Sequence, residues 1–99
     1  MRKLLQEEKV VDRIVPEIGK TYLIRDKTFN SVLVFKILYT YFDDENDLML
    51  EVEVVYDNDR NNDWTGKRKT IYACSWFYTS ERQICEEVKD ESDLVLLLV

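Results

Sequence analysis

Apolar and polar residues alternate along much of this chain with the two-residue period of a β-strand. The clearest case is Leu48 to Tyr56, where Leu48, Leu50, Val52 and Val54 share one face while Glu51 and Glu53 share the other. Ser31 to Phe42 is dense in β-branched and aromatic residues, and the same period places Leu33, Phe35, Ile37, Tyr39 and Tyr41 on its expected core face. The polar stretch Asp43-Asp44-Glu45-Asn46-Asp47 joins these segments as a hairpin loop. Thr21 to Arg25 predicts a short strand that follows the turn Pro16-Glu17-Ile18-Gly19, and Lys69 to Phe77 predicts a third long strand. Residues 31–77 are therefore expected to form an antiparallel meander.

The period changes after Thr79. Ser80 with Gln83 matches a capping box, and Ile84 and Val88 lie one helical turn apart, so the pattern predicts a short helix near 81–89. Leu94 to Val99 has no polar alternate and reads as a closing strand. At the other end, a helix or arm is expected over 2–9 and a strand over 10–15. The expected organisation is one domain over 1–99: an N-terminal arm at 1–15, a β-meander core at 16–78, and a short helix with a closing strand at 79–99.

The run Pro16-Glu17-Ile18-Gly19-Lys20-Thr21-Tyr22, leading into a curved meander, resembles the SH3-like barrels over residues 16–78. The resemblance implies a mainly β, partly open antiparallel barrel of about five strands. It implies no function, because such barrels host many.

Composition agrees with a folded domain: 45% hydrophobic and 34% charged residues lie well away from the low-hydrophobicity range of disordered chains. Met1 to Leu5 begins like a secretory n-region, but Gln6-Glu7-Glu8-Lys9 interrupts it, so a cytoplasmic protein is expected. The apolar run Leu94 to Val99 is far shorter than the roughly 20 residues a membrane-spanning helix needs. Cys74 and Cys85 have no Cys-x-x-Cys spacing and are expected as two buried thiols, with a single disulfide as the alternative.

Charge is segregated along the chain. Residues 43–63 carry nine acids and one base, residues 64–85 four bases and one acid, and the net charge is −6. Asp43, Asp44, Glu45, Asp47, Glu51, Glu53, Asp57, Asp59 and Asp63 thus form a candidate acidic surface. Trp64 is a candidate anchor, followed by the basic residues Lys67, Arg68 and Lys69.

The absence of histidine removes serine–histidine and cysteine–histidine catalysis and the commonest zinc sites. Gly19 and Gly66 are too far apart for a phosphate loop. The stretch Asp57 to Arg68 imitates a calcium loop at its first positions. It fails at Asn62, where the turn glycine belongs, and at Arg68, where a bidentate carboxylate belongs. Glu87-Val88-Lys89 has a nuclease-like Glu-x-Lys spacing but falls in the stretch expected as a helix, whereas that chemistry places both residues on one strand face beside a further Asp. No metal or cofactor is expected.

The expectation is a non-catalytic, acidic protein-binding module whose partner presents a basic surface. In its sharper form the acidic hairpins imitate nucleic-acid phosphates and block a nucleic-acid-handling host protein, in the manner of small phage-encoded inhibitors, including anti-CRISPR proteins. The alternative is a small-barrel nucleic-acid or ribonucleoprotein component using Trp64, Lys67, Arg68 and Lys69. Against direct binding stands the sequence pI near 4.6.

Overall fold

The computed structural model describes residues 10–90; the helix expected at 2–9 and the closing strand expected at 94–99 lie outside them. The described residues form seven strands: β1 (Val10–Arg13), β2 (Thr21–Asp26), β3 (Ser31–Phe42), β4 (Leu48–Asp57), β5 (Arg68–Tyr72), β6 (Tyr78–Ser80) and β7 (Gln83–Val88). A single 3-10 turn, Ala73–Ser75, follows β5. The main sheet has the order β5-β4-β3-β2-β7, and β1 pairs with β6 in a second, two-stranded sheet. All ladders are antiparallel. Among the described residues no ladder joins β5 to β7, so the barrel is partly open.

The main core lies on one face of the five-stranded sheet. Tyr22 and Ile24 from β2, Phe35 and Ile37 from β3, Leu50, Val52 and Val54 from β4, and Ile71 from β5 pack there with Phe77 and Cys85. Phe77 sits between two rings, edge-on to Tyr22 at 4.9 Å and to Phe35 at 5.8 Å, an arrangement that aligns ring edges with ring faces. Leu23, Val32, Val34 and Val88 form a smaller buried cluster. Both faces of β2 are therefore covered, which explains the continuous apolar run Tyr22-Leu23-Ile24.

Two bulges set which side chains face inward. Ile37 pairs with Val52 and Tyr39 with Glu51, so Leu38 is an extra residue on β3. The face reverses there: Thr40 comes opposite Leu50, while Tyr39 and Tyr41, expected in the core, are 51% and 41% exposed. Leu33 is half-buried, and Phe35 and Ile37 are buried as expected. The second bulge lies on β4, where Val34 pairs with Tyr56 and Phe35 with Val54, leaving Val55 extra. It brings Asp57 opposite Leu33, on the core side of the strand.

Three further expectations are corrected. The helix near 81–89 is strand β7, paired along its whole length with β2 from Thr21↔Val88 to Asp26↔Gln83. The open edge of β2 offers ladder hydrogen bonds and burial for Cys85 opposite Ile24, which outweigh a weak local helical preference. The capping-box residues serve a turn instead: Ser80 Oγ accepts the Arg82 N–H, and Gln83 Nε2 donates to the carbonyls of Trp76 and Tyr78. The strand expected over 69–77 ends at Tyr72, where the 3-10 turn begins. That turn exposes the Cys74 thiol; Cys85 is buried, and both cysteines are free.

Candidate functional site

The acidic segment is distributed along the full length of the β3–β4 hairpin. The Asp43–Asp47 loop caps one end of β4 and the loop from Asp57 to Lys67 leaves the other. The ten-residue strand β4 runs from one to the other, roughly 30 Å at the usual rise of a strand. At the tip, Asp43 Oδ1 accepts the backbone N–H groups of Glu45 and Asp47, each at 2.9 Å, so this carboxylate shapes the loop. One carboxylate oxygen each from Asp43, Glu45 and Asp47 lie within 4.8 Å of one another. Asp44 is exposed beside them.

Glu51 and Glu53 stand on the outer face of the sheet, between the two loops. Glu51 is opposite Tyr39 on one side and Thr70 on the other, and accepts the Thr70 hydroxyl at 2.6 Å. Glu53 is flanked in register by Lys36 and Arg68. Opposite charge on both neighbouring strands divides the acidic surface into two poles.

The second pole is a loop that satisfies its own backbone. Asp57 Oδ1 accepts the Asp59 N–H at 3.0 Å and its Oδ2 accepts the Trp64 N–H at 2.9 Å. Asp59 Oδ1 accepts from Asn61 and Asn62, and Asp63 Oδ1 from Thr65. The alternating acids that imitate a calcium loop are thus turn-forming side chains. The hydrogen bonds from Thr65, with Lys67 nearby, hold the Asp63 carboxyl below its ordinary value. Gly66 closes the loop with φ +81°, its N–H on the Val54 carbonyl at 2.8 Å.

Where this loop folds back over the start of β3, it makes a groove of about 170 Å³. Val32, Leu33, Trp64, Trp76, Asp57, Asp59 and Asn62 are among the residues that line it. Trp64 is half-buried against the core and carries the Lys69 ammonium 4.8 Å from its ring centroid. The groove brings Trp64 together with Asp57 and Asp59, which the sequence singled out, and with Trp76, which lies in the segment expected as the third long strand. Asp57 enters it only because of the extra residue at Val55, which the strand period alone does not reveal.

The basic run does not converge. Lys69 lies on the Trp64 side of β5, whereas Arg68, Thr70 and Tyr72 alternate onto the outer face, and Lys67 is exposed in the loop. Its charges therefore point in different directions.

Among the described residues, fold and site define a small, partly open β-barrel with two acidic poles and an aromatic groove. Comparison with protein-family models, with curated proteins and with solved structures finds no match for this chain.

Proposed function

We propose that the chain is a non-catalytic binding module that takes a basic surface or segment of another protein at its acidic poles. One observation carries this reading. None of the nine acidic side chains between Asp43 and Asp63 has a lysine or arginine nitrogen within 4.0 Å among the described residues; the ion pairs there are those of Lys20 with Glu17 and Glu87. A domain that leaves this much like charge uncompensated loses some stability to self-repulsion, and gains a field that steers a cationic partner. The Asp43–Asp47 loop and the Asp57–Asp63 loop supply that field.

The division into two poles favours a partner with separated basic patches over one that follows a continuous row of phosphate-like charges. A blocking role against a nucleic-acid-handling protein is the finer form of the proposal, and the two poles require that such a protein present its phosphate-binding cations as separate patches.

Capture from a lysate of the source organism, identified by mass spectrometry, tests the reading. A basic protein is expected to be retained at low salt and released at high salt. Changing Asp43, Asp44, Glu45 and Asp47 to lysine should weaken retention while leaving the fold intact. Direct, salt-sensitive binding of DNA or RNA, with no protein retained, would overturn the proposal.

A further inference from the structure

The groove between Trp64 and Trp76 combines two kinds of wall. Two indoles with Val32 and Leu33 supply apolar surface, and Asp57 and Asp59 supply negative charge. An anion would be repelled there, and a purely apolar ligand would strip water from the carboxylates with nothing in exchange. A cation with a flat, weakly hydrated face satisfies both walls.

We propose that this groove receives an arginine side chain of a basic protein partner, its guanidinium against an indole face and hydrogen-bonded to the carboxylates of Asp57 and Asp59. The assignment rests on the reading of the chain as an acidic protein-binding module and adds the side chain that the module selects.

Size, acceptor capacity and an existing contact support it. At about 170 Å³ the groove is smaller than the roughly 300–1,000 Å³ of small-molecule sites, and suits one side chain. Asp59 directs Oδ1 to the backbone of Asn61 and Asn62, and its Oδ2 accepts no hydrogen bond among the described residues. Each Asp57 oxygen accepts one backbone N–H and keeps a second lone pair. The chain itself already places a cation, Lys69, over the Trp64 ring. No basic residue lines the groove among the described residues. Arginine fits better than lysine because its planar fork stacks on a ring while reaching carboxylate oxygens, whereas an ammonium holds its water more strongly.

The two tryptophans of the chain both line the groove, so intrinsic emission reports on it directly. The full chain is titrated with a short acetylated glycine–serine peptide bearing one central arginine, and with matched peptides bearing lysine or citrulline. The arginine peptide should change the emission saturably and less so as salt rises, with citrulline about tenfold weaker or more. Asp59→Asn keeps the acceptor that shapes the turn and should weaken the arginine peptide by about tenfold. No saturable change, or equal binding of the lysine or citrulline peptide, overturns the proposal. Trp76→Leu should abolish the response; if that variant misfolds, Asp59→Asn decides alone. Partner capture that survives Asp59→Asn, with no arginine-peptide response, removes the groove while leaving the binding module standing. Loss of capture by the unaltered chain removes the module itself.

Discussion

Asn58 pairs with Val32 through both its side chain and its backbone. Its Oδ1 accepts the Val32 N–H at 2.9 Å, and its own N–H donates to the Val32 carbonyl at 3.2 Å. Asn58 Nδ2 also donates to the Asn30 carbonyl at 3.1 Å, so one side chain ties the start of the acidic loop to the turn before β3. Asn58→Ala leaves the half-buried Val32 amide without a partner and should cost about 1–3 kcal/mol. Urea unfolding measures the cost, and faster hydrogen exchange at Val32 locates it.

Gly66 holds φ +81° with open space where a Cβ would sit, so a substitution there meets backbone strain and no clash. Gly66→Ala should destabilise by about 1–2 kcal/mol, and Gly66→Asn by less, because asparagine tolerates the left-handed region better. Comparing both variants by thermal unfolding checks the order.

The bulge at Leu38 makes a prediction opposite to the one the strand period makes. Phe35→Ala, fully inside the core, should cost about 3–5 kcal/mol. Tyr39→Ser and Tyr41→Ser should each cost about 0.5 kcal/mol or less, the usual range for surface positions. A large loss at Tyr39 would place that ring back in the core and remove the bulge.

These positions show where the sequence is readable and where it is not. The limits of β3 at Ser31 and Phe42, and the inward set Leu50, Val52 and Val54, follow from period and residue type, which are local properties. The reversal at Leu38 and the turning-in of Asp57 depend on register against a neighbouring strand. No local pattern encodes that register. Gln83 to Val88 is a strand because β2 has an unpaired edge beside it, a fact about the assembled sheet. The groove has the same origin. Trp64 and the acids stand out in the sequence, but their meeting with Trp76 and Leu33 needs the loop to fold back across β3.

The two cysteines should behave oppositely. Cys74 is exposed and should react with a thiol reagent in the native state, whereas Cys85 is 3% exposed and should react only on unfolding. Burial, with Glu86 nearby, pushes the Cys85 thiol up from 9.0 to about 12. The neutral thiol is favoured by the fold, so its contribution is complete below pH 9 and is lost as pH rises from about 9 to 12. Denaturant unfolding at pH 8 and pH 10.5 should show a steeper loss for the native chain than for Cys85→Ala; equal slopes would contradict it.

The loop from Asp57 to Lys67 draws its hydrogen bonds from its own carboxylates, with Gly66 and Lys67 bonded to Val54. Its ordering entropy is therefore spent when the chain folds, not when a ligand arrives. A ligand meeting this groove finds walls already in position. Association there should be fast, and differences in affinity between ligands should appear in how quickly they leave.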